Sequence, residues 1–408
     1  MKILYVVQRY GEKIVGGSEA ACRMFSEELV KRGHEVEVLT SCAHSYIDWA
    51  DDYSPGTEVI NGVVVHRLPV VELRTDEVFG KLHGFAMTHP GSLPLFDQQR
   101  WARVMGPQLI DQRKWLLQNC ARFDVAIFMT YLYTTTTSGL PTLANHIPTV
   151  LQPTAHDEPP AYLSLFRSLF RQPDTFLYFT PEERSIVERI YMMQADGVTI
   201  GIGINRDVEH GDGSRFRSQF QIGEHPYLLY VGRLDPSKGV GELIRFFLEI
   251  KNRTKKDLKL VLVGDKQIDI PQHPDIIMTG FLDEQEKRDA LAGSLALVQS
   301  SYFESFSIVL CESWIQKRPA LVQGRCEVLR GQAMRSGGAI PYEGFAEFES
   351  AVHYLLDNPQ IADAMGIAGD EYVRRNYEWD VVMRGFEKAL EMAVEKFSQR
   401  RLTTRPLR

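Results

Sequence analysis

The sequence predicts an α/β protein with two doubly wound domains that face a central cleft. A short apolar run, a glycine-bearing loop and an amphipathic helical pattern follow one another at residues 2–33, and the same succession recurs at 227–264. A polar, glycine-bearing joint at about 203–213 separates the two. Ligands of such sheets bind outside the carboxyl ends of the strands, so we expect the functional residues there.

The chain has 408 residues, enough for two or three domains. We expect an N-terminal Rossmann-like domain at 1–205, with a mainly helical, aromatic-rich insertion at about 72–122. A C-terminal Rossmann-like domain should occupy 206–378. An amphipathic helix and a basic tail should follow at 379–408.

Apolar and alternating runs predict the individual strands. In the first half we expect them at 2–8, 35–40, 124–129, 149–152 and 177–179. In the second half we expect them at 227–231, 258–263, 276–278 and 296–298. Ser18 is the expected N-cap of the first helix, Thr180 caps a later helix with Glu183 three residues on, and a further helix runs from about Phe306 to Gln316.

Composition and charge exclude several classes of protein. The apolar content of 44% and charged content of 24% are typical of an ordinary globular chain. The net charge of −7 provides no basic field, so we expect no nucleic-acid partner. Five scattered cysteines and the lack of a secretory or membrane-spanning pattern favour a cytoplasmic protein with reduced thiols.

The basic tail has two interpretations that the sequence leaves open. It is a solvated terminus, or it makes a weak peripheral contact with anionic lipid on the inner face of the membrane. Its cations are Lys396, Arg400, Arg401, Arg405 and Arg408.

The strongest local signal is the segment 300–312, SSYFESFSIVLCE, where Glu304 and Glu312 stand on either side of an expected helix start. Free backbone N–H groups and the positive dipole end of a helix suit a phosphate or a sugar hydroxyl. Glu312 lies in an otherwise apolar helix, so it needs a polar partner. The alternative is an acid at a helix N-terminus and another on a solvated face.

The second signal is YVGRLDPSKG at 230–239, in which Arg233 and Lys238 flank a tight turn after a strand. Two cations there can clamp a diphosphate, the arginine by forked hydrogen bonds and the lysine as a point charge. The alternative is a pair of surface cations near Asp235.

Two weaker signals lie in the first half. His156, in LQPTAHDEPP, follows an apolar strand and faces the ligand side, unless it is a structural histidine paired with Asp157 or Glu158. Gly16 and Gly17 allow backbone amides to approach an anion, or they form a plain turn. The dinucleotide fingerprint G-x-G-x-x-G is absent from this loop, which counts against a dehydrogenase.

Taken together, these motifs resemble family 4 glycosyltransferases. The segments that carry the resemblance are the glycine loop with its helix, YVGRLDPSKG, LVLVGD, TGFLDE and SSYFESFSIVLCESW, and 72–122 matches least. The resemblance implies the GT-B fold, with an acceptor-side N-terminal domain, a nucleotide-sugar-binding C-terminal domain and a final helix from Trp379 that crosses back. It also implies transfer of a hexose from a nucleotide-diphosphate sugar with retention of configuration.

The resemblance implies a role for each candidate residue. Glu304 and His156 are catalytic and lie near the donor sugar, which Phe306 and Ser307 bind, and Glu312 binds the ribose. The diphosphate is bound by Arg233, Lys238, Gly16, Gly17 and Ile308, and the base by Gly280, Phe281 and Leu282. Ser307 stands where glycine is commonest in the family, and Arg318 replaces another usual glycine.

No metal and no cofactor are expected, because the chain lacks a D-x-D triplet. A UDP-sugar is favoured over GDP-mannose, and the acceptor is a glycan or a lipid-linked glycan of polysaccharide biosynthesis. Arg325, Arg330 and Arg335 contact an anionic acceptor or neighbouring acids. A front-face displacement and a double displacement through Glu304 both remain open, as do a GT-B sugar-nucleotide epimerase and a non-catalytic nucleotide-sugar-binding module.

Overall fold

The computed structural model describes residues 1–14, 16–254 and 256–403. Their contacts divide the chain into two compact units. The first unit is Met1–Gly201 together with the chain from Met383 onward, and the second unit is Ile202–Val382. Each unit is built on one largely parallel sheet with helical connections, so the predicted class of two Rossmann-like doubly wound α/β units is confirmed.

The sheet of the first unit has the strand order β3-β4-β2-β1-β5-β6-β7-β8. The pairings are parallel except for the antiparallel hairpin of β3 and β4. The central strand β5 reads VAIFM and is buried at every position, as a strand covered on both faces should be. The strands are β1 Lys2–Val6, β2 Glu35–Ser41, β3 Gly56–Ile60, β4 Val63–Leu68, β5 Val125–Met129, β6 Thr149–Gln152, β7 Thr175–Tyr178 and β8 Gly197–Thr199.

Seven α-helices connect these strands within the described residues. They are α1 Gly17–Lys31, α2 Asp76–Thr88, α3 Leu95–Met105, α4 Gln112–Asn119, α5 Thr134–Leu143, α6 Leu165–Leu169 and α7 Pro181–Tyr191. Three of them, α2 to α4, occupy the segment for which the sequence predicts helix. Trp101 of α3 is fully buried in the same apolar cluster as Phe128 of β5, so these helices pack on the core of the first unit.

The sheet of the second unit has the order β11-β10-β9-β12-β13-β14, and all its pairings are parallel. Its strands are β9 Tyr227–Val231, β10 Lys259–Val263, β11 Ile276–Gly280, β12 Ala296–Gln299, β13 Ala320–Gln323 and β14 Ala339–Tyr342. Its helices are α8 Gly213–Gln219, α9 Val240–Arg253, α10 Glu284–Gly293, α11 Ile308–Ile315, α12 Glu327–Ser336, α13 Phe345–Asp357 and α14 Pro359–Asn376. The last helix, α15 Trp379–Thr403, begins in the second unit and belongs to the first from Met383.

Two helix starts differ from the sequence prediction. Gly16, not Ser18, is the N-cap of α1, and the Ser18 hydroxyl instead donates to Glu19 Oε2 at 2.7 Å. Helix α11 begins at Ile308 rather than at Phe306, because Ser307 has a left-handed backbone (φ 78°) that no helix accommodates. The Thr180 cap is confirmed, since its hydroxyl accepts the N–H of Glu183 at 3.1 Å.

The tail is engaged with the first unit as far as the structure describes it. Lys396 pairs with Asp196 at 2.6 Å, and Arg400 pairs with Asp174 at 3.0 Å. Arg405 and Arg408 lie outside the described residues. Within the described ranges, no helix combines the length and apolar character that a bilayer crossing requires.

Candidate active site

In each unit the candidate residues lie in or just beyond the loops that follow the carboxyl ends of strands. In the second unit, β9 and β12 are neighbours in the sheet. Arg233 and Lys238 follow β9, and Glu304 follows β12. The strand order therefore brings together residues that are about 70 positions apart in the chain.

The second unit joins Lys238 to Glu304. Lys238 Nζ lies 2.7 Å from Glu304 Oε1, with the two side chains 27% and 14% exposed. The turn that carries the lysine is packed against the β12 loop: a Cβ on Gly239 would lie 2.2 Å from the carbonyl oxygen of Ser300, and the Ser300 hydroxyl donates to the Lys238 carbonyl at 2.8 Å. Only a glycine fits this approach, so the turn that carries Lys238 is fixed against the loop that leads to Glu304.

Arg233 lies beside Asp235, an acid of the same turn. Its Nε is 3.4 Å from Asp235 Oδ2. Asp235 in turn accepts the N–H of Ser237 at 2.9 Å, which caps the short 3-10 turn that leads to Lys238. One interpretation of this motif placed its cations near Asp235. Arg233 does lie near Asp235, whereas Lys238 pairs with Glu304.

The side chains of Phe306 and Ser307, at the start of α11, are engaged inside the second unit. The ring of Phe306 is 2% exposed and packs edge-on against Tyr377, with centroids 4.8 Å apart. The Ser307 hydroxyl accepts from Gln299 Nε2 at 2.8 Å, which helps to hold Ser307 in its left-handed conformation. Any contact of these residues, or of Ile308, with a sugar or phosphate would be made by backbone N–H groups at the helix start.

Glu312 has the polar partner that its apolar helix demands. Lys287 Nζ of α10 lies 2.8 Å from Glu312 Oε1, and both side chains are about one-fifth exposed or less. Burial lowers the pKa of Lys287, but the charges of Glu312 and Glu284 more than offset this and the net pKa is raised. The sequence prediction missed Lys287; the apolar helix around Glu312 was the signal for a partner, without saying which residue supplies it.

The predicted base-binding residues are the last residue of β11 and the two residues after it. Gly280 has φ 74°, and its carbonyl accepts the N–H of Gly264 at 2.9 Å. Phe281 is 67% exposed, whereas Leu282 is 7% exposed. An exposed aromatic ring such as that of Phe281 is suited to stacking on a planar base.

His156 lies in the first unit, in the loop after β6. Its Nδ1 is 3.5 Å from Glu158 Oε1, and its side chain is 28% exposed. The buried Tyr131 hydroxyl donates to the same carboxylate oxygen at 3.3 Å. Burial raises the pKa of Glu158, but His156 and the Tyr131 hydroxyl outweigh it and hold that pKa below its usual value. The pairing with Glu158 thus exists, and the imidazole retains a solvent-accessible face.

The Gly16–Gly17 turn contains an ion pair that the sequence prediction missed. Arg9 and Glu19 are 6% and 5% exposed, and Arg9 Nε donates to Glu19 Oε1 at 2.9 Å. A Cβ on Gly16 would lie 2.4 Å from Glu19 Oε2, whereas one on Gly17 would meet open space. The need for glycine at position 16 is therefore explained by this pair, and the charge of Arg9 is balanced inside the loop.

The arginines considered for an acceptor have partners in two cases. Arg325 Nε is 3.9 Å from Glu343, and Arg335 donates to the Tyr372 hydroxyl at 3.1 Å. A shallow depression of about 800 Å³ in the first unit, bordered by Arg103 and Arg113, contains none of the candidate residues. In the part of the chain that the structure describes, no group of three or more His, Cys, Asp or Glu residues is placed to hold a metal.

The two halves of the chain match two glycosyltransferase domain models. Residues 16–203 match the glycosyl transferase 4-like domain, and residues 225–358 match the glycosyl transferases group 1 domain. The two matches cover separate parts of the chain and together span most of it. Both segments that carry the candidate residues fall within them.

Curated relatives match at lower coverage. A trehalose synthase of Rubrobacter xylanophilus is 31% identical over 191 residues, which are 42% of this chain and 45% of that protein. An α-D-kanosaminyltransferase of Streptomyces kanamyceticus is 26% identical over 37% of this chain and 42% of that protein. The chain thus spans less than half the length of these two relatives. An uncharacterized glycosyltransferase of Methanocaldococcus jannaschii is 24% identical over 81% of this chain and 83% of its own length.

Solved structures match along the whole chain. A sucrose-phosphate synthase from Thermosynechococcus elongatus has a TM-score of 0.69 at 16% identity, covering 99% of this chain and all of that one. A trehalose-6-phosphate protein of Escherichia coli with bound UDP-2-fluoro glucose has a TM-score of 0.71 at 9% identity, covering 96% and 99%. These likenesses show the GT-B fold. With both domain models matched in order and the fold shared from end to end, the chain belongs to the GT4-type glycosyltransferases.

Proposed function

We propose that this protein is a retaining, metal-independent glycosyltransferase. It moves a hexose from a nucleotide-diphosphate sugar to a hydroxyl of a glycan or glycolipid. The observation that carries this proposal is the Lys238–Glu304 pair beside the start of α11, on the edge of a Rossmann-like sheet where ligands bind. Family membership supports the same reaction class.

The second unit has the groups that a departing diphosphate requires. Negative charge grows on the leaving phosphate as the glycosidic bond breaks, so fixed cations and N–H dipoles aimed there lower the barrier. Arg233, Lys238 and the main chain at Ile308 are the proposed donors. A bound diphosphate competes with Glu304 for Lys238, which frees that carboxylate to face the positively charged sugar.

The proposed transfer proceeds on the face from which the diphosphate leaves. The bond from the anomeric carbon to the phosphate oxygen breaks, and the acceptor oxygen bonds to the same face of that carbon. The acceptor proton passes to the departing phosphate oxygen, so the configuration is retained and no side chain forms a covalent bond. Glu304 and His156 stabilise the positive sugar in this scheme.

UDP-sugar is the proposed donor. Glu312, oriented by Lys287, would accept hydrogen bonds from the ribose hydroxyls, and Gly280, Phe281 and Leu282 would hold the base. Solved structures of an Anabaena protein with UDP and with UDP-glucose, at TM-scores of 0.68 and 0.63, support this choice. Gly16 and Gly17 would lie near the diphosphate and acceptor, and Phe306 and Ser307 near the sugar.

The proposed acceptor is a glycan or lipid-linked glycan of polysaccharide biosynthesis, used by a cytoplasmic enzyme at the inner face of the membrane. A trehalose synthase and an α-D-kanosaminyltransferase among the relatives support the transfer of a sugar. Arg330, which is exposed, is a candidate contact for an anionic acceptor.

The test is a panel of UDP-, GDP- and ADP-sugars, first by thermal shift and then by release of the nucleoside diphosphate with and without glycan acceptors. Tight donor binding should raise the melting temperature by mass action. Conversion of the donor to an isomer without acceptor, seen by NMR, would instead identify an epimerase. Binding with neither transfer nor slow donor hydrolysis would identify a binding module.

A further inference from the structure

Glu183 is a fully buried carboxylate in the first turn of α7 that no feature of the proposed reaction yet uses. Glu183 is 0% exposed. Oε1 accepts the N–H of Ala155 at 2.9 Å, and Oε2 accepts the N–H of Phe179 at 2.7 Å. Both oxygens are thus bound by main chain. A charged group can be buried this way only if such hydrogen bonds replace its water.

The contacts differ from those of an ordinary helix cap. A glutamate at this position usually reaches back to the N–H of the N-cap residue. Here the cap is Thr180, whose hydroxyl accepts the Glu183 N–H, but the carboxylate reaches past it to Phe179 and across to Ala155. Ala155 follows β6 and Phe179 follows β7, which are paired in the sheet. One carboxylate therefore joins the carboxyl ends of two neighbouring strands and the start of a helix.

The bond to Ala155 matters because Ala155 directly precedes His156. Thr154, which precedes Ala155, has a left-handed backbone (φ 48°). The Thr154 hydroxyl donates to Thr130 Oγ1 at 3.1 Å. On the other side of the histidine, Glu158 contacts the imidazole Nδ1. The loop is held before and after His156, and a threonine with positive φ persists only where its surroundings determine its conformation.

We propose that Glu183 is a positioning residue that holds the main chain at Ala155 so that His156 presents its imidazole at the ligand-binding edge of the first unit. Glu158 then orients the ring through Nδ1. This inference rests on the proposed function, since it is that reaction which gives His156 a task. Displacements of about 1 Å in a catalytic group can cost roughly 100-fold in rate, so a fixed loop has a kinetic value.

Burial raises the pKa of Glu183 to about 7, against the lowering effect of the N–H groups of Phe179 and Ala155 and of the nearby His156. The titratable groups that face it are His156 from the β6 loop and Tyr178 from β7. The tyrosine is buried and its pKa is raised far above neutrality, so it stays uncharged. Protonation converts one carboxylate oxygen into a hydroxyl, which no longer accepts the N–H that it faced.

The variant that imitates this protonated form is Glu183→Gln, which keeps the shape but sets an NH₂ group against a main-chain N–H. We expect kcat to fall roughly 10- to 100-fold. The KM for the donor and the Kd for the nucleoside diphosphate should stay within about twofold, because the candidate donor-binding cations Arg233 and Lys238 lie in the second unit. In a double-variant cycle with His156→Ala, the added loss from Glu183→Gln should disappear, since the positioned group is gone.

A matched control is Asp289→Asn in the second unit. Asp289 is 3% exposed and is bound by Arg215, so this change removes the charge of another buried carboxylate. It should lower the melting temperature and leave kcat nearly unchanged. Wild-type kcat in Glu183→Gln, or losses that add to those of His156→Ala, would overturn the proposal.

A second measurement keeps the proposal independent of activity and of the folding of any variant. In the wild-type protein, the hydrogen-exchange protection factor of the Ala155 amide should fall as the pH drops through about 7, while that of a core strand such as β5 does not. An unchanged protection factor at Ala155 would overturn the role of Glu183. An absence of glycosyl transfer by the wild-type protein would instead overturn the proposed function.

Discussion

The two units hold the acids of their candidate loops in different ways. In the second unit, the acids of the candidate site are paired with lysines, Glu304 with Lys238 at 2.7 Å and Glu312 with Lys287 at 2.8 Å. In the first unit, Glu183 is bound by main-chain N–H groups and Glu158 by a histidine and a tyrosine. In both units these acids lie in or beyond loops that follow the carboxyl ends of parallel strands. The difference therefore lies in the groups that bind each carboxylate and not in the fold.

The partners determine what each carboxylate can do. A partly exposed lysine–carboxylate pair can exchange partners when a more highly charged anion arrives, because both members keep access to water and ligand. A carboxylate bound by main-chain N–H groups has no such freedom, since releasing it leaves those groups unpaired in the interior. The second unit is therefore suited to exchange ligands, and the first to hold a loop in place.

The largest expected effect is that of Lys238→Ala. It removes the proposed diphosphate cation and leaves Glu304 unpaired, so we expect a loss of ~2–4 kcal/mol of transition-state stabilisation. Arg233→Ala should fall in the same range. Steady-state kcat/KM with a nucleotide sugar measures it.

Lys251→Ala is the control for this comparison, because Lys251 is also a partly buried, ion-paired lysine of the second unit, 3.0 Å from Asp275. It should leave kcat/KM unchanged. Equal turnover by wild type, Lys238→Ala and Arg233→Ala would remove the proposed role of both cations.

The second effect concerns stability and pH in the first unit. The pKa of Glu183 is about 7 in the folded chain, against an ordinary value of 4.5. Its contribution to stability is therefore fully present below pH 4.5 and is lost as the pH rises through 7, by up to about 3 kcal/mol. Glu183→Gln has no such titration. The free energy of unfolding in urea of this variant, relative to that of the wild type, should therefore rise from about pH 5 to 8. Parallel curves for the two proteins would contradict the raised pKa.

A smaller effect is expected at the other lysine pair. Lys287→Met leaves Glu312 without its cation at a site that is about one-fifth exposed, which should cost about 1–2 kcal/mol of unfolding free energy. Affinity for the nucleoside diphosphate should fall as well, because an unpaired Glu312 is no longer oriented toward a ribose. The double variant Lys287→Met/Glu312→Leu should recover the unfolding free energy but not the affinity for the nucleoside diphosphate. Recovery of both would show that the Lys287–Glu312 pair only stabilises the contact between α10 and α11.

The smallest expected effect is that of chelation. Because Arg233, Lys238 and the α11 start are proposed to neutralise the diphosphate, transfer should be unchanged by excess EDTA. Turnover with a nucleotide sugar before and after chelation measures this. Loss of activity that Mg²⁺ or Mn²⁺ restores would assign part of that charge to a metal instead.

Much of the fold was predictable because each sheet contains buried strands with continuous apolar runs. The nine predicted strands all lie on observed strands, with ends that differ by up to two residues. The hairpin β3–β4 was missed because it lies at an edge, where β3 is mostly exposed and its sequence GTEVI lacks an apolar run. Strands β8, β13 and β14, of three or four residues, were not predicted, although β12, which has the same sequence ALVQ as β13, was.

The sequence predicted where the candidate site residues lie in the fold, but not which side chains contact one another. The sequence by itself determined which loops carry cations, acids and glycines, because apolar runs mark the strands and the polar residues follow at their ends. Only the tertiary structure decided that Lys238 meets Glu304, that Lys287 supports Glu312 and that Glu183 holds the main chain before His156. These contacts join residues that are 25 to 66 positions apart, and the order of strands in the sheet, which a single sequence does not encode locally, brings them within hydrogen-bond distance.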